Sequence, residues 1–310
     1  MFYRIVKGNR AVEVWTTTCI VTNFGKPPSP VACTTLINPS NPELSGVKNF
    51  PYFPRGGPVP EQKPTSMHKD WQPLGYVSNW GGMQVGSGMM YAVSVVDGLV
   101  HQTGGWKLQA ECQWHRMTCA LASSLSSPRA SGAPCPVGTA VQTSAGNDTL
   151  ALAYDSIVHA TPPFFQHDSQ PEEQLQRCYE SALKLAWNDK AGSRRVATPL
   201  LGSGARGFPH ETAMQVASSV CVQWMENNAA ATADAATITN ANADAVGTNS
   251  SRSRSNTSDA TAAAAFLFDD DDDKVEQTIV FGLLEKEWAL RLSEMIEQKM
   301  KDTTVSQTSR

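Results

Sequence analysis

Pro199-Leu200-Leu201-Gly202-Ser203-Gly204-Ala205-Arg206-Gly207-Phe208-Pro209 decides how this chain is read. The apolar run Val196 to Leu201 leads into it and a helical stretch leads out of it. Between them, Gly202 to Gly207 spells G-x-G-x-x-G. A glycine loop between a strand and a helix is a candidate phosphate cradle. Its backbone approaches an anion closely and aims successive N–H groups at it, and the helix N-terminus adds partial positive charge. Pro209 suits the first turn of that helix, and Phe208 is expected to pack beneath the loop.

Outward from the loop, the chain alternates. Strands are expected at Phe2 to Val6, Ala11 to Thr16, Val31 to Ile37, Ser156 to Ala160, Val196 to Leu201 and Thr278 to Leu283, short runs rich in β-branched residues. Helices fall between them. From Pro171 to Trp187, residues Leu175, Cys178, Tyr179, Ala182, Leu183 and Ala186 keep helical rhythm behind Glu172 and Glu173. Leu284, Trp288, Leu292, Met295 and Ile296 share a face after the last strand, and Ala92, Val95, Val96, Leu99 and Val100 form another apolar stripe. The fold class is α/β, in three α/β/α layers around a central mixed sheet.

Two stretches interrupt this alternation. Residues 46 to 90 are rich in Pro and Gly and carry Phe50, Tyr52, Phe53, Trp71 and Trp80, the composition of a long loop with its own aromatic clusters. Residues 228 to 274 are dominated by Ala, Asn, Thr, Ser and Asp and are expected to be disordered. One domain over residues 1 to 300 is expected, with these two insertions and a flexible tail at 301 to 310.

Composition narrows the function. With 310 residues, 41% of them apolar, the chain can bury a substantial core. A net charge of −4 supplies no basic surface for a phosphodiester backbone, so no nucleic-acid partner is expected. Seven scattered cysteines without C-x-x-C spacing give neither a disulfide framework nor a metal site, and no cofactor is called for. Met1 to Arg10 lack a secretory apolar core and no run approaches about 18 apolar residues, so an intracellular, monomeric protein with no membrane contact is expected.

The glycine loop fits two nucleotide folds, and its context separates them. A dinucleotide fingerprint needs the loop to follow the first strand of a βαβ unit and an acidic residue about twenty positions on to end the second strand. Glu226 has the distance but closes a helix, so that reading fails. Three other segments favour the alternative. Leu36 to Gly46 sets Asn38 and Asn41 at the end of an apolar strand. Val96-Asp97-Gly98-Leu99-Val100-His101 opens a helix, and Cys135-Pro136-Val137-Gly138-Thr139-Ala140 precedes Ser156 to Pro163.

In this order, and closed by Pro199 to Pro209, these segments resemble the macro domain family of ADP-ribose binders, nearest in motif to its hydrolytic, MacroD-like group. The resemblance covers residues 1 to 227 and 278 to about 300. It implies ADP-ribose lying across the strand ends. Asn41 matches the amide that orients the distal ribose and Asp97 the acidic residue of the hydrolytic subfamilies, so these two are the expected catalytic pair. Amides suit ribose hydroxyls because they donate and accept, and Asn38 is expected either to contact ligand or to brace the turn. Val96, Gly98, Gly202, Ser203, Gly204, Ala205, Arg206 and Gly207 are expected to hold the diphosphate. His101 and His159 are expected to be packing histidines.

The departures are specific. The family's Gly-Asp pair after its first strand, whose carboxylate meets adenine, is Gly8-Asn9 here, so Asn9 takes that role unless Glu13 or another register does. An aromatic residue often found late in the glycine loop is Arg206, which could bind a terminal phosphate or point to solvent. The glycine run that normally links Asn41 to Asp97 is stretched by more than fifty residues; Gly81, Gly82, Gly86 and Gly88 could rebuild it, with Trp71 or Trp80 as a lid. The expected activity is hydrolysis of ADP-ribose-linked bonds, as a mono-ADP-ribosyl-protein hydrolase or an O-acyl-ADP-ribose deacylase. A non-catalytic reader of ADP-ribosylated protein and a phosphatase acting on ADP-ribose 1''-phosphate are the alternatives.

Overall fold

Successive residues of the strands are buried against opposite sides of one sheet, the period-two pattern of a sheet covered on both faces. In a computed structural model that describes residues 2–46, 95–125, 132–188, 194–241 and 277–308, Ile37, Val158, Val196 and Ile279 face one apolar cluster, and their neighbours Leu36, Ile157, Ala197 and Val280 face the other. The elements run β1 (Phe2–Lys7), β2 (Arg10–Thr16), α1 (Ile20–Asn23), β3 (Thr35–Pro39), α2 (Val96–Leu125), β4 (Ala140–Ser144), α3 (Thr149–Ala153), β5 (Ser156–Ala160), α4 (Pro171–Trp187), β6 (Arg195–Pro199), α5 (His210–Ala241), β7 (Gln277–Leu283) and α6 (Lys286–Thr308).

The seven strands lie in the order β1-β2-β7-β6-β3-β5-β4. The hairpin strand β1 and the edge strand β4 are antiparallel to their neighbours, and every other pairing is parallel. Helices α4, α5 and α6 supply Leu175, Met214, Cys221, Leu292 and Ile296 to one cluster. Helices α1, α2 and α3 supply Ile20, Val100, Leu108, Cys112 and Leu150 to the other. The three-layer α/β/α expectation is met.

Several expected boundaries move, each for a local reason. β3 starts at Thr35 rather than Val31 because Ala32 adopts a left-handed conformation, φ 52°, which ends extended structure. β4 was not expected: Ala140-Val141-Gln142-Thr143-Ser144 is short and half polar, as an edge strand can be. α5 runs to Ala241, so residues 228–241 are helical where disorder was expected; this stretch is rich in Ala, the strongest helix former. Likewise α6 runs through Thr308, across most of the expected flexible tail. Leu284 was assigned to the buried face of that helix but is 71% exposed, preceding the helix start.

α2 bends at Gly105, where φ 70° and ψ −169° break the helical path. The loop after β4 enters the bend: the Asn147 amide N–H donates to the Gly104 carbonyl at 3.0 Å, and the Lys107 amide donates to the Asn147 side chain at 3.0 Å. A Cβ on Gly105 would stand 2.8 Å from that side-chain oxygen. Residues 47–94, with the expected aromatic lid, and 242–276 lie outside the described residues. Among the described residues no helix is long and apolar enough to cross a membrane.

Candidate functional site

Parallel strands bring their carboxyl ends to one edge of the sheet, where open α/β folds place their ligand crevice. Here β3 ends at Asn38 and Pro39, paired in register with His159 and Ala160 at the end of β5, and β6 ends beside them at Pro199. Asn38 shares the face of Leu36, and His159 that of Ile157, so both side chains turn toward the α2 layer. The first turn of α2 meets them there, with Asp97 favoured by the helix macrodipole.

Asn38, Asp97 and His159 are all buried, at 0%, 3% and 0% exposure. The Asn38 amide nitrogen donates to Asp97 Oδ1 at 2.7 Å and lies 3.1 Å from His159 Nδ1. Because an amide nitrogen only donates, His159 Nδ1 accepts and the imidazole proton sits on Nε2. That nitrogen lies 3.0 Å from Thr143 Oγ1, which donates in turn to the Ser144 carbonyl at 3.0 Å. Burial, with His101 and His115 nearby, pushes the His159 pKa well below its ordinary 6.5 and keeps the ring neutral.

His101 follows one turn after Asp97, its Nε2 3.6 Å from Asp97 Oδ1. Together with Cys112 and His159 it gathers three possible metal donors within 4.8 Å of one another. The arrangement suits hydrogen bonding better than a cation: His159 Nε2 carries its proton, and burial pushes the Cys112 thiol up to about 12.

Three side-chain atoms at this sheet end are buried without a hydrogen-bond partner among the described residues: Asn38 Oδ1, Ser40 Oγ and Asp97 Oδ2. Leaving a buried polar atom unpaired costs about 1–3 kcal/mol, so a cluster of them makes this sheet end a candidate for contact with a polar group.

The glycine loop leaves β6 beside these atoms. Leu201 N–H donates to the Tyr179 hydroxyl at 2.8 Å, and the loop closes on itself through Gly207 N–H to Gly204 O at 3.0 Å and Phe208 N–H to Gly202 O at 3.1 Å. Gly202 takes φ 81°, and a Cβ there would meet the buried Phe208 ring at 2.8 Å. Phe208 is core, as expected. Gly204 and Ala205 are exposed, and their amides find no acceptor among the described residues, which suits them to an anion. Ser203 Oγ turns back to the Leu200 carbonyl at 2.8 Å.

Arg206, half-buried, lies against its neighbours. Its guanidinium lies 4.0 Å over the Phe164 ring and donates to the Ser40 carbonyl at 3.2 Å, while its own carbonyl accepts from Phe165 N–H at 2.9 Å. The residue clasps the glycine loop to the ends of β3 and β5. Val96 and Gly98 flank Asp97 in the first turn of α2.

The structure does not gather all the expected residues. Asp97 is held by Asn38, while Asn41 Oδ1 accepts from the Ser45 amide at 3.2 Å and the Ser45 hydroxyl at 3.3 Å, closing a turn just beyond β3. Asn9 sits in the β1–β2 hairpin, its carbonyl accepting from Gln277 N–H at the start of β7. That is the amino end of the parallel strands, opposite the site. Glu13, the other adenine candidate, lies in mid-strand and is bound by Arg195 at 2.5 and 3.0 Å and by Trp15 Nε1 at 2.9 Å. Sequence reasoning missed Ser40, Thr143 and Phe164; only Ser40, inside Asn38-Pro39-Ser40-Asn41, lay within a quoted motif.

A model of the Macro domain family matches residues 88–217. O-acetyl-ADP-ribose deacetylase 1 of Pantoea vagans is 34% identical over 134 residues, 43% of this chain and 67% of the relative. A macro domain-containing protein of Caldanaerobacter subterraneus is 33% identical over 134 residues, 43% of this chain and 66% of that protein. The solved Oceanobacillus iheyensis macrodomain with ADP aligns with 99% of this chain and 98% of its own, at 14% identity and a TM-score of 0.51, a likeness of fold.

Proposed function

Because the chain belongs to the macro domain family, we propose that it binds ADP-ribose and hydrolyses bonds joining ADP-ribose to an acyl group or to a protein side chain. The observation that carries this reading is the state of Asp97. Its carboxylate is buried in the first turn of α2, with Oδ1 held by the Asn38 amide and Oδ2 without a hydrogen-bond partner among the described residues. An acceptor oriented on one side and uncommitted on the other is suited to take a proton from water. For an O-acyl-ADP-ribose, the water oxygen bonds to the acyl carbonyl carbon as its proton passes to Asp97. The tetrahedral intermediate then expels the ribose oxygen, which takes the proton back, giving a carboxylic acid and ADP-ribose.

The glycine loop supplies the other half of the site. The amides of Gly204 and Ala205 would receive the diphosphate, with Val96 and Gly98 opposite and Asn41 and Ser40 near the distal ribose. The name of the Pantoea relative supports an acyl ester as substrate. The partner is ADP-ribose or ADP-ribosylated protein, in an intracellular setting. The clasped position of Arg206 removes the main support for a phosphatase.

The test sets the purified protein against O-acetyl-ADP-ribose and a mono-ADP-ribosylated protein, with calorimetric titration of ADP-ribose and NAD alongside. Asp97→Ala is expected to lower turnover by about 10²- to 10⁴-fold, with ADP-ribose affinity nearly kept. Binding without turnover in the wild type would make the protein a reader of the modification. A preference for intact NAD would defeat both readings.

A further inference from the structure

We infer that Thr143, His159 and Asn38 are positioning residues for Asp97, a chain that reaches from the far edge strand of the sheet to the reacting carboxylate. The inference rests on the hydrolase reading and assigns its geometry to residues that do not touch substrate through their own reacting atoms. Three hydrogen bonds run one way, from Asn38 out to the Ser144 carbonyl, and a fourth leaves Asn38 in the other direction for Asp97. Thr143 donates to the Ser144 carbonyl, His159 Nε2 to Thr143, and the Asn38 amide gives one hydrogen to His159 Nδ1 and the other to Asp97 Oδ1.

No link can reverse while Asp97 is ionised. An ionised carboxylate only accepts, so the amide nitrogen of Asn38 must face Asp97 and its oxygen must face away. That orientation fixes the His159 tautomer, which fixes the Thr143 hydroxyl. Read the other way, Thr143, with its hydrogen given to the Ser144 carbonyl, offers His159 Nε2 an acceptor, and His159 Nδ1 offers one to the Asn38 amide. The three residues are buried to 6%, 0% and 0% exposure and come from β4, β5 and β3, so each link is held by a different strand. His101 stands 3.6 Å from the same Oδ1, leaving Oδ2 as the oxygen without a hydrogen-bond partner among the described residues.

The experiment is steady-state kinetics with O-acetyl-ADP-ribose on the full chain, together with ¹⁵N NMR of the His159 ring. Thr143→Val removes the acceptor for His159 and keeps the side-chain shape; Thr143→Ala serves if valine is not tolerated. The expected result is a fall in kcat of roughly ten- to a hundredfold, with KM and ADP-ribose affinity within about twofold. Thr143→Ser is expected to restore most of the rate, and wild-type His159 to be neutral and protonated on Nε2.

A proton on Nδ1, an unchanged kcat in Thr143→Val, or a loss of ADP-ribose affinity in parallel with kcat would each overturn the inference. Wild-type protein that binds ADP-ribose yet hydrolyses nothing would instead overturn the hydrolase reading, and the chain would then stand or fall on the His159 tautomer.

Discussion

His159 couples the site to acid. Its neutral ring faces Asn38, Thr143, Cys112 and His101, with Asp97 beyond Asn38 and His115 close by. Below pH 6.5 the unfolded chain takes up a proton here that the folded chain refuses, so this group's stability is complete above 6.5 and declines as pH falls toward the depressed folded value. The slope can reach about 1.4 kcal/mol per pH unit. Denaturant midpoints measured from pH 7.5 down to 5 are expected to fall less steeply in His159→Gln than in the wild type; equal slopes would contradict a titrating His159. At this scale the sequence identified Asn38 and Asp97 but not their bond; Asn41 and Asp97 were read as two residues meeting one substrate. Which asparagine meets the carboxylate depends on the sheet face that each strand residue presents, and Asn41 lies past the end of β3, where its side chain closes a turn with Ser45.

Between residues, the glycine loop and its clasp behave as a unit. Gly202→Ala places a methyl group 2.8 Å from Phe208 at φ 81° and is expected to cost about 1–3 kcal/mol, read as a lowered unfolding midpoint, with weaker ADP-ribose binding at temperatures where the variant stays folded. Arg206→Ala removes the stacking on Phe164 and the bond to Ser40, about 1–2 kcal/mol of loop order. Calorimetry is therefore expected to show ADP-ribose affinity reduced roughly five- to thirtyfold. An unchanged affinity would make the clasp irrelevant to binding. The loop was legible because glycine spacing is a backbone property; the clasp was not, since nothing in a linear sequence sets Arg206 over Phe164. Among helices, α4 matched from Pro171 to Trp187 because its apolar stripe is regular, whereas the alanine-rich end of α5 resembled a low-complexity tether.

For the molecule as a whole, ligand and fold are linked. ADP-ribose at about a hundred times its dissociation constant would add about 2.7 kcal/mol to the stability of the bound state, so a thermal shift that saturates with ADP-ribose and not with NAD is expected. The alternation of short strands and helices made the layered fold readable, yet strand order was not, because parallel strands pair across long stretches of intervening chain. β7 is the clearest instance. It lies between β2 and β6, pairing Val12 with Ile279 and Val196 with the same residue.

That placement sets the timetable of folding. As the chain leaves the ribosome, β1 and β2 can pair early, but the other edge of β2 has no mate until residues 277–283 emerge, about 260 residues later. A nascent chain halted at Ala241 would expose the sides of β2 and β6 that β7 covers, two sheet edges beyond those of β1 and β4, the kind of surface on which chains stick to one another. Such a truncated protein is expected to lose cooperative unfolding and to aggregate, and adding residues 277–308 as a separate peptide should partly rescue it. β7 is the strand that joins the two halves of the sheet, so a chain cut anywhere before residue 277 is expected to lose its fold, not only the residues removed.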